Sequence, residues 1–166
     1  NMTVSVGRTI SYALSFNGSE MVSPSAISMH LDGNQVFGIN SKLKSAKTTS
    51  HNGFITTFAY KKDKVSDNYN ELLLQFKNNF NLIFRAYNEG VAYRFVSTLK
   101  KDFKVMSEEA TFNFAKDWTA FVPYVKEKRL PIEQQFNNSF ENTYTHCALS
   151  KIDSQRLIFS PFVVEA

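Results

Sequence analysis

This sequence predicts an all-β fold, an antiparallel β-sandwich with few or no helices, and three observations carry that prediction. Apolar residues alternate with polar ones in short runs along most of the chain, the period-two mark of half-buried strands. Turn signals such as Asn17-Gly18, Asp32-Gly33-Asn34, Asn78-Asn79 and Asn88-Glu89-Gly90 separate those runs. Aromatics are abundant, with 16 Phe and 7 Tyr in 166 residues, a bias that suits sheets better than helices. Two sheets must hide their apolar faces on each other, so a sandwich is the layered solution and a closed barrel the alternative.

The elements follow in order. Ile10, Tyr12, Leu14 and Phe16 alternate with Ser11, Ala13 and Ser15, and Asn17-Gly18 then makes a tight hairpin. Val22 leads into Ser23-Pro24-Ser25, an edge or a bend, because proline donates no ladder hydrogen bond. Ile27, Met29 and Leu31 form a further run. Residues 40–50 are rich in lysine and serine and alternate only weakly, whereas Phe54, Thr56, Phe58 and Tyr60 alternate clearly. The middle of the chain is the clearest region. Leu72, Leu74 and Phe76 share one face, as do Leu82, Phe84 and Ala86, and as do Val91, Tyr93 and Phe95, which reads as a three-stranded meander. Leu99–Val105 is charged and reads as a loop or a frayed strand; Ala110, Phe112 and Phe114 suggest one more strand. The stretch 127–139 is polar. Leu130-Pro131-Ile132 starts a short helix there, with Asn137, Asn138 and Ser139 ending it. Ile158, Phe159 and Phe162 to Val164 supply late strand material around Pro161.

Composition bounds the function. At this length one domain with a real core is expected, a single sandwich over residues 1–166. The net charge of +4 comes from scattered lysines. The densest run, Lys61-Lys62-Asp63-Lys64, reads as a solvated loop and not as a nucleic-acid patch. The lone Cys147 permits no internal disulfide and no paired-thiol metal site, and is expected to be a buried inert thiol. No apolar run is long enough to span a membrane as a helix. No leader pattern opens the chain at Asn1-Met2.

The familiar chemical motifs are missing: no glycine-rich phosphate loop, no nucleophile elbow, and three well-separated histidines, His30, His51 and His146. A glycosidase needs two carboxylates flanking one bond. Glu71, Glu89, Glu108, Glu109, Glu133 and Glu141 are the candidates, but Glu108 and Glu109 are adjacent and would face opposite ways on a strand. No catalytic residue is assigned. The aromatic content also suits carbohydrate binding, with Trp118 as the sugar-facing ring; the competing reading of Trp118 is edge packing of a large side chain.

Several stretches then line up in order: Tyr69-Asn70-Glu71-Leu72, Phe84 through Phe95, Trp118-Thr119-Ala120-Phe121-Val122-Pro123-Tyr124, Phe140-Glu141-Asn142-Thr143-Tyr144 and Phe159-Ser160-Pro161-Phe162. Together they resemble the N-terminal domain of glycoside hydrolase family 97, α-glucosidases and α-galactosidases found mostly in Bacteroidetes. The resemblance implies part of a galactose-mutarotase-like β-super-sandwich, a fragment of a larger enzyme whose catalytic (β/α)8 barrel lies outside residues 1–166. It implies a non-catalytic domain that packs on that barrel, an α-linked oligosaccharide as substrate of the whole enzyme, and no nucleic-acid partner. It also implies that Glu141 lends a carboxylate to a calcium site at the barrel mouth, with Asn142 and Trp118 as substrate or interface contacts. In the fragment itself no calcium is expected, because one carboxylate cannot build a site. Periplasmic or secreted placement follows from the same resemblance. The alternatives are a free-standing carbohydrate-binding module and a structural domain that binds another protein. Within the resemblance, Tyr87–Phe95 becomes a structural hairpin: Gly90 takes a positive φ, Tyr93 and Phe95 pack inward, and Glu89 is a solvated turn residue.

Overall fold

The computed structural model describes residues 1–126, 129–137 and 139–166. Glu127, Lys128 and Asn138 lie outside the described residues, and with them part of the polar stretch 127–139 and of the predicted helix stop. The chain divides into two compact units, Asn1–Asn113 and Phe114–Ala166. Both are built from antiparallel strands, as the sequence predicts.

The first unit contains β1 (Met2–Val6), β2 (Ile10–Phe16), β3 (Ser19–Leu31), β4 (Val36–Phe37), β5 (Leu43–His51), β6 (Phe54–Thr56), β7 (Lys64–Ser66), β8 (Tyr69–Phe76), β9 (Phe80–Ala86), β10 (Val91–Ser97) and β11 (Val105–Ala110). The boundary between the units falls within β12 (Asn113–Phe114). One sheet runs β1-β2-β3-β11, with β4 also on β3, and a second runs β10-β9-β8-β5. The meander is therefore real, with Leu72 opposite Phe84 and Phe84 opposite Tyr93. Ile10, Ile27, Leu31 and Phe37 from the first sheet and Leu74, Phe76, Phe80, Leu82 and Phe84 from the second are buried. Ring contacts bridge the sheets: Phe37 stacks on Phe80 at 4.7 Å, and Tyr12 approaches Tyr93 at 6.0 Å. This is a sandwich core, apolar residues of two pleated faces removed from water together.

Local chemistry explains the turns. Asn17 and Gly18 both have positive φ, 48° and 80°, as the two central residues of a type I′ hairpin require. Pro24 lies inside β3, where the register with β2 shifts between Tyr12 and Leu14, so the irregular ladder absorbs its missing donor. Gly90 departs from expectation. The residues with positive φ include Gly18, Gly33 and Gly38 but not Gly90. Its hairpin closes instead through the Tyr87 N–H donating to the Gly90 carbonyl at 2.8 Å. Tyr93 does turn inward, against Tyr12 and Phe84.

Two strands differ from the reading above. β5 is a nine-residue strand where only weak alternation was visible, and β11 occupies 105–110, earlier than the run Ala110–Phe114 suggested. Every residue of both is exposed, so neither has a buried face to impose a period of two. In the other direction, the alternation through Phe58 and Tyr60 overestimates β6, which ends at Thr56. Ala59 takes a left-handed φ of 54°, which ends regular strand geometry.

The second unit holds β13 (Thr119–Val122), the single α-helical turn α1 (Ile132–Gln135), β14 (Thr145–Ala148) and β15 (Val163–Glu165), with sheet order β14-β13-β15. Pro131 stands immediately before α1, as predicted. Ala120, Val122 and Tyr124 form the buried centre, covered by Leu149, Ile152, Ile158, Phe162 and Cys147. Cys147 is only half-buried, not enclosed as expected, because it lies in β14, an edge strand of this three-stranded sheet. Among the described residues no helix is long and apolar enough to cross a membrane.

Candidate functional site

The stretch Phe140-Glu141-Asn142 lies in the connection from α1 to β14. Its first residue is anchored: the Phe140 ring meets Phe159 at 5.0 Å and Tyr144 edge-on at 5.5 Å. Phe159 in turn meets Phe136 edge-on at 5.2 Å. Beside this aromatic anchor Glu141 is exposed and Asn142 half-buried. The Glu141 carboxylate forms no ion pair among the described residues. Its two oxygens suit a hard cation. Among the described residues no group of three or more His, Cys, Asp or Glu comes together to hold a metal.

Trp118 is half-buried at the entry to β13. Its ring meets Phe114 edge-on at 6.3 Å, and Phe114 meets Phe162 the same way at 6.5 Å. Its carbonyl accepts the Leu149 N–H at 2.8 Å. Packing therefore engages this side chain on at least one side. Among the described residues no hydrogen bond or ring contact joins Trp118 to Glu141 or Asn142.

Three of the other candidate carboxylates, Glu71, Glu108 and Glu109, have structural work. Glu71 accepts from Arg85 at 2.7 Å, and this hydrogen bond raises the guanidinium further above its ordinary range. Glu108 accepts from the Tyr93 hydroxyl at 3.3 Å, and Glu109 from the Ser28 hydroxyl at 2.9 Å, so the two neighbours do point to different partners. Burial, followed by the Glu108 charge, pushes the Tyr93 phenol up. The histidines do not cluster. His51 pairs with Asp67 at 3.5 Å, and His146 contacts Glu165 at 3.0 Å while stacking on Phe121.

One polar contact escaped the sequence reading. Asp117 accepts both the N–H of Ser150, at 2.8 Å, and its hydroxyl, at 2.7 Å, tying the approach to β13 to the 3-10 turn Leu149–Lys151. These bonds hold the Asp117 carboxyl below its usual range. A depressed carboxyl contributes stability that is present above its unfolded pKa and is lost as pH falls through the folded one. Ser150→Ala should therefore destabilise the chain near about pH 7 and make little difference near about pH 2. Urea unfolding at the two pH values checks this; an equal deficit at both would show that the carboxylate charge is irrelevant. Nothing in sequence marks the pair, which lies 33 residues apart.

Fold and side chains together define an all-β sandwich-type domain. The profile of the family Glycosyl-hydrolase 97 N-terminal matches residues 1–166; the chain belongs to that family. The retaining alpha-galactosidase of Bacteroides thetaiotaomicron is 45% identical over 165 residues, which cover 99% of this chain and 25% of that protein. A glycoside hydrolase family 97 enzyme from Pseudoalteromonas sp. strain K8, solved with acarbose, superposes with a TM-score of 0.77 at 19% identity, covering 99% of this chain and 25% of its own. A beta-arabinopyranosidase superposes at 0.70 and 22%, covering 87% and 24%. At such identities the superpositions speak for the fold alone. The chain spans about a quarter of the length of these relatives.

Proposed function

We propose that this chain is the non-catalytic N-terminal domain of an α-glycoside hydrolase, packs on a catalytic (β/α)8 barrel of the same polypeptide, and lends Glu141 to a calcium site at the barrel mouth. The observation that carries the reading is the 45% identity over nearly the whole chain to a retaining alpha-galactosidase four times as long. It makes an α-galactoside the first substrate to test and an α-glucoside the second. Placement in the periplasm belongs to the same reading.

The chain's own residues fit one part of a calcium site. The ion takes six to eight oxygens, and Glu141 supplies at most two. The barrel would supply the others. When bound, calcium polarises substrate oxygens. What this chain would supply is an exposed carboxylate on the residue after Phe140, whose ring packs against Tyr144 and Phe159.

The test is a calcium titration of activity in the full-length enzyme and its E141A variant. Glu141→Ala should weaken calcium activation on the order of 10- to 100-fold and lower turnover with it. The melting of the 166-residue chain should be unchanged, because the residue is exposed. Indistinguishable midpoints and rates would leave Glu141 an ordinary surface residue.

A further inference from the structure

We propose that a cleft at the ends of β5, β8 and β9 is a binding site for a neutral saccharide. The antiparallel register sets Asn70 between Ser50 and Ala86, and His51 opposite Tyr69. Asn52, Asn68 and Asn88 follow or precede those strand ends. The four side-chain amides, with the rings of His51 and Tyr69, line a cleft of about 290 Å3.

The hydrogen bonds inside the cleft engage amide oxygens. Asn68 spends its amide oxygen on the Gly53 N–H at 3.0 Å, and Asn70 spends its own on the Ser50 hydroxyl at 2.6 Å. Each amide is thereby oriented, and its NH2 group donates no hydrogen bond among the described residues. Asn52 and Asn88 are exposed and form no side-chain hydrogen bond among the described residues, so each retains both donor and acceptor. The rings are fixed too. Tyr69 is held between His51 at 5.1 Å and Tyr87 at 5.2 Å, and the Arg85 guanidinium lies 4.1 Å over it. At Gly53 a Cβ would come within 2.8 Å of the His51 imidazole, so the ring keeps its position only against glycine.

The lining chooses the ligand class. It contains no carboxylate for a cation and no lysine or arginine for an anion. Of the nearest carboxylates, Asp67 lies 3.5 Å from the His51 ring and Glu71 pairs with Arg85. Amides that donate and accept match vicinal hydroxyls, which do the same, and the surface of the cleft is almost entirely polar, which suits a ligand rich in hydroxyls. A cleft this open supports roughly millimolar affinity. The proposal rests on the first unit alone and stands or falls independently of the calcium role of Glu141.

The experiment uses the 15N-labelled 166-residue chain, titrated with methyl α-D-galactopyranoside, methyl α-D-glucopyranoside and maltotriose and followed by amide chemical shifts. At least one sugar should give saturable shifts grouped on residues 50–53, 68–70 and 86–88. The double variant N52A/N88A, which removes two exposed amides and no internal bond, should keep the spectrum and bind at least about tenfold more weakly. Gly53→Ala, which displaces the His51 ring, should weaken binding as well, and it decides the matter should the double variant fold poorly. No saturable shift with any of the three sugars would overturn the proposal, as would shifts that persist unchanged in the variants.

Discussion

Phe80→Ala is expected to lower the unfolding free energy by about 3–5 kcal/mol, the range for truncating a large ring in a close-packed core. Phe80 is fully buried and is the meeting point of three other rings. It stacks on Phe37 of the first sheet at 4.7 Å and on Phe76 at 4.5 Å, and meets Phe95 of β10 at 5.9 Å. Alanine would remove all three contacts and open a cavity between sheets whose backbones are held by their ladders. Small domains are stable by only about 5–15 kcal/mol, so the loss is a large share of the total. Urea unfolding followed by far-ultraviolet ellipticity measures it. A change below about 1 kcal/mol would mean that the two sheets close over the gap, and that the ring stack is not what holds them.

Gly38→Ala should cost about 2–5 kcal/mol through a different mechanism, backbone strain added to overlap. Gly38 has a φ of 96°, which L side chains rarely adopt, and a Cβ there would lie 2.6 Å from the Ile27 carbonyl oxygen and 3.1 Å from the Ser28 Cα. Those are atoms of β3, the central strand of its sheet, and the Gly38 carbonyl accepts the Ile10 N–H at 3.0 Å. Neither side can yield without breaking the ladder. Gly90→Ala is the matched control. It has no positive φ and nothing within 4 Å of the added methyl, so it should be neutral or stabilising by up to about 1 kcal/mol. Equal melting temperatures for the two variants would show that the close approach at Gly38 relaxes at no cost.

The parts of the fold that announced themselves in sequence are those with one face in the core. Leu72, Leu74 and Phe76 share the face of β8 on which Leu74 and Phe76 are buried, while Leu73 and Gln75 on the other face are only half-buried, and Asn78-Asn79 lies in the turn from β8 to β9. β5 and β11 gave no such signal, since their side chains are exposed throughout and their place is set by backbone pairing with β8 and β3. Alternation likewise misled at Phe58 and Tyr60, where apolar residues remain in solvent. Gly90 carried the wrong inference because a glycine in a turn suggests a left-handed residue, and here the hairpin closes without one. Glu141 came from resemblance to a family and not from any local pattern; an exposed loop carboxylate has no periodicity to betray it. The amide cleft was out of reach for a further reason. Asn70 is placed beside Ser50 only by the β5–β8 register, and the strand that sets this register was the one least visible in the sequence.

Trp118 has a consequence that is optical. It is the sole indole in the chain and belongs to the second unit, while the first contains only phenols and phenylalanine rings. Emission excited at the red edge of the indole band therefore comes from a residue of the second unit, whereas total ellipticity reports on both units. Overlaying the two denaturation curves of one sample asks directly whether the units melt as one cooperative body or in succession. The chain thus carries its own domain-specific reporter, with no label to attach and no residue to replace.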